Sequence, residues 1–539
     1  MSTTRPEYVA PRGPADADYL ILCSTPLPSE AYPAGKAWSG SIKPMAEEII
    51  APLKGTVRVE YVWPFHCARG AGELFQDKKW MVPTKELARE IQCKKNALDS
   101  LPYKGILLMG DLALYTFNGE TSVHKWRGSR FASSQGTPVV PTYALETLTK
   151  AYDWKWITQA DVKRLANASP DDTVPFRVFR TAPDSIGQAL CWVAQLEIAM
   201  EAGNPIVCDV ETLYGFIECI GFATSSSNAY CFPLMSKNNH DGYWTAEEEI
   251  QLLLALRPII QYAHLAGQNF NYDWQFTQRQ FIVPKPARIR DSMLEWHLLY
   301  PGTRKSLDFL ASILCEHYVY WKDDLSTYRE YPAEESVFWN YNCLDCIYTY
   351  EVLERTKALI KRFNLQTQLA EQYDDWFLAS EMQNHGMLAD TKAAEAEAER
   401  FSLLEHEYVM ILDRIIRPAL PDSLASKTPV WDSPRNLNKF LYDVLGVKRV
   451  LHKVTKRPSV DDDAIQVISR REPALAAILN GILTLRSIRK FRADFCEART
   501  FQGRHVTQYN VAGPETFRWS ASKTPWNLGN NAQTIPKGD

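Results

Sequence analysis

The sequence lacks several features that would restrict its functional class at once. No apolar run approaches the length of a membrane span, and no internal repeat or low-complexity tract occurs. The first residues also lack the basic start and apolar core of a secretory signal. We therefore expect a globular protein with no membrane partner, located in the cytoplasm.

Cysteines are present, but not in the pattern of a zinc site or a disulfide framework. The 11 cysteines are scattered, and only Cys343 and Cys346 lie close together, without a second pair or a nearby histidine. In the cytoplasm they should be mostly reduced. The formal net charge of −4 excludes a uniformly basic nucleic-acid coat but leaves room for local basic patches.

What the chain does contain is enough sequence for several domains of different types. With 539 residues, of which 45% are hydrophobic, it should form about three or four domains. Strand-like runs alternate with helical stretches from Tyr19 to Tyr143, which predicts a layered α/β domain. A polar stretch at Asn167 to Pro175 marks a boundary, a second α/β region follows, and the pattern is mostly helical from Val337 onward. Further helices are predicted over Pro434 to Leu445, with Ser433 as the cap, and over Glu472 to Ala498. The fold class is therefore multidomain α/β.

The first chemical motif is a pair of acids on an apolar strand. Asp209 and Glu211 are two residues apart in PIVCDVET, so the pleat directs both side chains to one face. Two carboxylates on one face repel each other unless cations neutralise them, and Mg²⁺ ions suit this role. Taken alone the pair is weak evidence, because solvated strand residues often follow the same pattern.

Two further motifs follow in the chain. Asn269 lies in the turn of GQNFNYD and Asp273 enters the next helix. Tyr341 and Asp345 are four residues apart in a helical stretch, which places them on one helix face. Each motif has a structural alternative, such as a packed tyrosine beside an exposed aspartate. The three motifs occur together in one chain, however, and their combination is more specific than any one of them.

Together these motifs resemble the DEDD exonuclease superfamily in its tyrosine-bearing branch, and specifically the proofreading domain of family A DNA polymerases. That resemblance implies a ribonuclease H-like domain that hydrolyses DNA from the 3′ end. Asp209, Glu211, Asp273 and Asp345 would hold two Mg²⁺ ions, or Mn²⁺ in their place. Tyr341 would orient the attacking water, and Asn269 would contact the nucleic acid.

The residues after the nuclease motifs resemble the thumb of the same polymerases. The stretch KRVLHKVTKR holds five Lys or Arg residues and no acid, which suits a DNA backbone, although a solvated basic loop explains it equally well. A second basic face lies in LRSIRKFRADF, where ordinary helix solubility competes. The predicted DNA contacts are Lys448, Arg449, Lys453, Lys456, Arg457, Arg486 and Lys490.

The final segment is similar to the family stretch that leads from thumb to palm. Thr516, Arg518, Asn531 and Gln533 follow the family pattern and would contact primer-template DNA, while Phe517 replaces a family glycine. The palm carboxylates and the fingers helix do not occur in the sequence. We therefore expect no polymerase activity from this chain alone and a second polypeptide that carries palm and fingers.

The N-terminal region resembles the uracil-DNA glycosylase superfamily in its layout and hydrophobic strands. Ala144 and Leu145 stand where that family places a His-Pro pair, and the first loop has no clear water-activating acid. Cys23, Cys67 and Cys93 do not make the four-cysteine cluster of its iron–sulfur members. We therefore expect a structural or DNA-binding role without glycosylase activity.

These inferences combine into one functional prediction with two alternatives. The leading one is the proofreading exonuclease and primer-template-binding half of a split family A polymerase, encoded by a phage or another mobile replicon, acting also on single-stranded 3′ ends. The alternatives are a stand-alone DEDD nuclease on DNA or RNA, and an inert DNA-binding scaffold. The domain prediction is 1–165 glycosylase-like, 175–360 exonuclease, 361–502 thumb, and 503–539 thumb-to-palm segment.

Overall fold

The computed structural model divides the chain into two compact units, Met1–Tyr373 and Asp374–Asp539, here called the first and second unit. The residues it describes are 8–31, 36–67, 70–77, 81–100, 102–169, 175–237, 242–330, 334–424, 428–453 and 455–535. Within these ranges, no helix combines the length and apolar character needed to span a membrane.

The first sheet lies in the N-terminal part of the first unit and is almost entirely parallel. Only its last strand pairs antiparallel. In spatial order its strands are Val57–Tyr61, Tyr19–Cys23, Gly105–Met109, Pro138–Thr142 and Phe131–Ala132. Alternate residues of the central strands enter two separate cores, one on each face, as expected of a sheet covered by helices on both sides. The main covering helices are Lys43–Ile50, Lys85–Ser100, Asp111–Asn118 and Lys155–Asn167.

The second sheet is mixed and carries the acidic strand predicted above. In spatial order its strands are Arg288–Asp291, His264–Gly267, Pro205–Leu213, Phe216–Ala223, Asn228–Pro233 and Val178–Thr181. Its long covering helix, Glu335–Phe363, packs Cys343 and Cys346 into the core against the sheet. Both cysteines are therefore core residues, and among the described residues neither belongs to a group of three or more side chains spaced to hold a metal ion. The other helices of this region are Ile186–Glu201, Ala246–Tyr262, Phe270–Phe281, Ser292–Leu299, Leu307–Leu314 and Asp323–Glu330.

The two sheet regions of the first unit share buried contacts. One hydrophobic core joins residues of the first sheet and its helices to Trp296, Phe309, Tyr318 and Tyr348. The buried Arg127 contributes a polar contact, because its guanidinium pairs with Asp161 and donates 2.6 Å to Ser312 Oγ. The multidomain α/β class with parallel sheets is confirmed, while the boundaries at 165 and 175 remain predictions.

The second unit is mostly helical. The helices Thr391–Ile416, Asp462–Arg471 and Ala476–Phe491 surround a core that includes Leu412, Trp431, Ile468 and Leu485. Two short antiparallel pairs, Met387–Leu388 with Arg504–His505 and Gln508–Asn510 with Ser520–Ser522, complete it.

Two helices of the second unit differ from the sequence prediction. The helix predicted over Glu472–Ala498 is α-helical only over Ala476–Phe491, because Pro473 starts a short 3₁₀ turn before it and a π-helical turn follows. The helix predicted over Pro434–Leu445 is α-helical over Pro434–Lys439 and continues as a π-helical turn. Its predicted cap is confirmed, since Ser433 Oγ accepts the Asn436 N–H at 3.2 Å.

Candidate active site

Three of the predicted acids converge at one point of the second sheet. Carboxylate oxygens of Asp209, Glu211 and Asp345 all lie within 4.8 Å of one another. Asp209 and Glu211 project from the strand Pro205–Leu213, and Asp345 projects from the helix Glu335–Phe363 that packs over it. Among the described residues, this is the group of acids whose spacing suits a metal ion.

A glycine allows the helix to approach the strand closely enough. Gly221 pairs with Asp209 in the neighbouring strand, and a Cβ atom there would lie 2.1 Å from Asn342 Oδ1 and 2.9 Å from Cys346 Sγ. The fully buried Asn342 uses this space to donate from Nδ2 to Asp209 Oδ2 at 2.8 Å. Any side chain at position 221 would push the helix away, so this glycine helps to assemble the site.

Asp273, the fourth predicted ligand, occupies a different place from the other three. Its Oδ1 accepts the backbone N–H of Val210, between the two strand acids, at 2.8 Å. Burial, and then the charge of Asp209, raise the pKa of Asp273 well above its usual range. Asp273 thus borders the cluster but contributes no oxygen to the close group, and its role as a ligand remains a prediction.

Asn269 shapes the turn before the helix that carries Asp273. Its φ of 55° lies in the left-handed region, which asparagine tolerates better than most residues. The carboxylate of Asp291 accepts the N–H groups of Asn269 at 2.9 Å and of Phe270 at 2.8 Å, and so caps the helix start. The sequence indicated the turn but not the partner, because Asp291 comes from the next strand.

The acids of the cluster carry more negative charge than their surroundings neutralise. Burial, and then the charge of Asp345, raise the pKa of Asp209 to about 7. Burial, followed by the charges of Asp209 and Asp345, raises the pKa of Glu211 well above its usual range. Together with Asp345, these two carboxylates form a set of hard oxygen donors, which fits a divalent cation such as Mg²⁺.

One lysine enters the cluster from a segment that the sequence analysis did not single out. Lys322 Nζ donates to Asp345 Oδ2 at 2.6 Å and to the Tyr341 hydroxyl at 2.9 Å. The neighbouring Trp321 donates from Nε1 to Asp345 Oδ1 at 2.6 Å. Burial disfavours the ammonium, but the adjacent Asp345 carboxylate outweighs it and raises the pKa of Lys322. Both oxygens of Asp345 are therefore held by donors.

The predicted DNA contacts of the basic stretch all lie on the surface of the second unit. Lys448, Arg449, Lys453, Lys456 and Arg457 are exposed. Arg449 pairs with Asp443 at 3.2 Å, and Lys453 pairs with Asp463 at 2.9 Å. Neither ion pair is buried, so both are weak enough for a phosphate to compete.

The second basic face is more strongly tied to its own unit. Arg486 donates to Asp462 at 2.8 Å and to Val460 O at 3.1 Å, whereas Lys490 is exposed. Arg489 and Arg492 pair with Glu405 of the facing helix Thr391–Ile416, at 2.6 Å for Arg489. Their contacts favour helix packing over DNA binding for these two arginines.

The final segment places its predicted contacts at the surface of the second unit. Thr516 and Arg518 are exposed, and Phe517 between them has a φ of 58°, the left-handed region that glycine favours. Phe517 thus adopts a backbone conformation that bulky residues rarely take. Asn531 Oδ1 accepts the Gln533 N–H at 3.0 Å, and Gln533 Nε2 donates to Trp519 O at 2.9 Å.

Sequence reasoning missed Gly221, Asp291, Trp321, Lys322 and Asn342. Asn342 lies directly after Tyr341 in the third motif, but the motif gives its side chain no role. Lys322 and Trp321 lie in a loop without periodicity, so no pattern indicated which acid they would meet. These five residues act through contacts between distant parts of the chain.

No protein-family model matches the chain, and no curated protein matches it. Among solved structures, the chain is similar to the POL domain of Pol1 from M. smegmatis in complex with DNA primer-template and dNTP. The two share 16% sequence identity with a TM-score of 0.43, over 67% of this chain and 56% of that chain. The chain thus spans little more than half the length of that polymerase structure, and a likeness of this strength assigns neither fold nor activity.

Proposed function

We propose that the chain is a metal-dependent 3′–5′ exonuclease of the proofreading type that also binds primer-template DNA. The convergence of Asp209, Glu211 and Asp345 beside Tyr341 supports this proposal most strongly. In this proposal the second sheet belongs to a ribonuclease H-like DEDD domain, and the second unit is a polymerase-type thumb. The glycosylase-like character of the first sheet and the partner polypeptide with palm and fingers remain predictions from the sequence.

Asp209, Glu211 and Asp345 would hold the divalent cation, with Asp273 as the fourth predicted ligand for a pair of Mg²⁺ or Mn²⁺ ions. When bound, the metal would supply Lewis-acid activation and charge neutralisation for phosphodiester hydrolysis. Asn342 orients Asp209, and Trp321 and Lys322 orient Asp345. These contacts keep the ligand oxygens in place before the substrate arrives.

Tyr341 is suited to orient the attacking water by hydrogen bonding. Burial, and then the charge of Asp345, raise its pKa above its usual range, so the phenol keeps its proton. Its hydroxyl accepts from Lys322, and the phenol also interacts with the neighbouring Asp345 carboxylate. In the proposal, this hydroxyl would orient a water for in-line attack on the phosphodiester.

The first prediction tests the acids directly. Asp209→Ala combined with Glu211→Ala should reduce Mg²⁺-dependent shortening of a 5′-labelled DNA oligonucleotide by about 10³-fold or more, because several kcal/mol of metal-based stabilisation is lost. Gel analysis of products over time measures the rate. A matched RNA oligonucleotide tests the sugar preference.

The control replaces two exposed acids of the same unit, Glu197→Ala with Glu201→Ala, and should leave the rate unchanged. Circular dichroism should show that both double variants are folded. Metal-dependent trimming of equal rate by the Asp209 and Glu211 variant would refute the proposed function.

A further inference from the structure

The loop that carries Trp321 and Lys322 connects the acidic cluster to the first sheet. Residues 318–323 follow the helix Leu307–Leu314 and end at the first residue of the helix Asp323–Glu330, and they are called the bridging segment here. On one side the segment contacts the cluster, through the hydrogen bonds of Trp321 and Lys322 to Asp345. The ring centroids of Trp321 and Tyr348 also lie 4.4 Å apart, and Tyr348 is on the same helix as Asp345.

On the other side the bridging segment is bound by residues 125–130 of the first-sheet region. The Arg130 N–H donates to Tyr318 O at 2.7 Å, and the Tyr320 N–H donates to Ser129 Oγ at 3.1 Å. The Trp126 and Tyr320 rings pack edge to face with centroids 5.1 Å apart. An exposed ion pair at 2.8 Å joins Lys125 to Asp323. Backbone and side-chain contacts therefore hold nearly every residue of the segment.

The holding residues are themselves anchored in the first sheet. Between Trp126 and Ser129, the buried Arg127 pairs with Asp161 of the helix Lys155–Asn167. The Gly128 N–H donates to Pro141 O, in the strand Pro138–Thr142, at 2.9 Å. Gly128 has a φ of 76°, and a Cβ atom there would lie 2.7 Å from Arg164 Nη1, so the tight packing requires glycine. A continuous set of contacts thus leads from the first sheet to Asp345.

We propose that the first-sheet region positions the nuclease site, by holding the bridging segment so that Lys322 orients Asp345 and Tyr341. This inference rests on the proposed exonuclease function and gives the N-terminal region a role in it. Lys322 is a positioning residue, because its ammonium contacts a carboxylate and a hydroxyl of the site. Trp126 and Ser129 act one step further away, through the backbone and ring of Tyr320.

The geometry explains why a lysine at this place matters for the reaction. A carboxylate held by Lys322 and Trp321 cannot rotate away from Asp209 and Glu211 when no cation is bound. The same ammonium fixes the Tyr341 hydroxyl relative to Asp345, so the water-orienting group and the ligand keep one spacing. Loss of such supporting contacts typically lowers metal affinity or activity by about 10–100-fold.

The test compares two tryptophans of the first-sheet region that both contact the nuclease part. Trp126 contacts the bridging segment, whereas Trp156 stacks on Tyr300 and contacts Phe309, away from it. Trp126→Ala and Lys322→Ala should each lower kcat for a DNA oligonucleotide by about 10-fold or more with little change in KM. Both should also weaken Mn²⁺ binding to the free protein, measured by electron paramagnetic resonance. Trp156→Ala should change neither quantity.

Two further variants separate positioning from general stability. Lys322→Arg keeps a cation near both acceptors and should retain more activity than Lys322→Ala. In the Lys322→Ala background, Trp126→Ala should add little further loss, because both act on the same contact. If Trp126→Ala does not fold, Ser129→Ala removes the hydrogen bond to Tyr320 with a smaller change in volume.

The outcomes distinguish this inference from the proposed function. If wild type hydrolyses DNA, while Trp126→Ala, Ser129→Ala and Lys322→Ala match Trp156→Ala in kcat and Mn²⁺ affinity, the positioning role is wrong and the exonuclease stands. If losses from Trp126→Ala and Lys322→Ala simply add, the first-sheet region does not act through Lys322. If Asp209→Ala with Glu211→Ala retains full activity, the proposed function itself fails.

Discussion

Two of the places in the first unit that hold acids away from solvent differ in the hydrogen-bond partners of those acids. Near the carboxyl end of the first sheet, Glu30 accepts the N–H groups of Leu27 at 2.7 Å and Trp38 at 2.6 Å, and the hydroxyl of Tyr61. The adjoining cavity of about 50 Å³ has room for one or two waters. In the second sheet, Asp209, Glu211 and Asp345 face one another instead.

The difference lies in how each charge is compensated. Glu30 accepts hydrogen bonds from three donors, and none of these three partners is a carboxylate. The donors therefore compensate the carboxylate without a cation. Glu211 has Asp209 and Asp345 as neighbours, and burial with their charges raises its pKa. A buried acid that faces only donors therefore indicates structure, whereas several acids that face one another indicate a site for a cation.

The largest effect should come from another buried acid of the first unit that resembles Glu30. Asp161 accepts from Arg127 and, at 2.7 Å, from Thr142 Oγ1, and it is fully buried. Asp161→Asn should lower the free energy of unfolding by about 3–5 kcal/mol, because it leaves the Arg127 guanidinium buried without its counter-charge. Chemical denaturation followed by circular dichroism measures this change.

The matched control is Asp153→Asn, an exposed acid near the start of the same helix, which should shift the unfolding midpoint very little. Equal midpoints for the two variants would show that Asp161 is not a structural acid. It would then have to be grouped with the acids of the second sheet.

The next effect concerns metal binding and pH. Because the pKa of Asp209 rises from 3.8 to about 7 on folding, the metal-free protein holds an extra proton between these values. The associated stability is present at low pH and is lost as pH rises through about 7. Mg²⁺ at 100 times its Kd should raise the free energy of unfolding by about 2.7 kcal/mol. This increase should occur at pH 8 but not at pH 5, where protons compete with the cation for the carboxylates.

Thermal unfolding with Mg²⁺ or EDTA at both pH values measures this difference. Asp209→Asn with Glu211→Gln should remove the Mg²⁺ effect and make the metal-free protein more stable at pH 8, since two like charges are gone. A Mg²⁺-induced rise in Tm that is equal at pH 5 and pH 8, or that survives this double change, would contradict the cation site.

The sequence predicted the parts that depend on local spacing. The strand pleat placed Asp209 and Glu211 together, and the helical repeat placed Tyr341 with Asp345, as the structure shows. Local spacing could not indicate that Gly221 lets Asn342 approach Asp209, or that Lys322 meets Asp345. Those contacts depend on how a helix and a loop pack against a strand that is distant in sequence. The periodicity of the sequence does not indicate such packing.

The smallest effect should come from a change of Glu30, the buried acid near the first sheet. Glu30→Gln keeps the shape of the side chain but sets an amide N–H₂ against donors, so it should lower the free energy of unfolding by about 1–2 kcal/mol. Glu47→Gln, an exposed acid paired with Arg12, should cost less than about 0.5 kcal/mol. DNA hydrolysis should be unchanged in both variants. A large loss of hydrolysis in Glu30→Gln without loss of stability would show that an acid held by three donors can still take part in the reaction. The hydrogen-bond partners of a buried acid would then not distinguish a structural acid such as Glu30 from the acids of the second sheet.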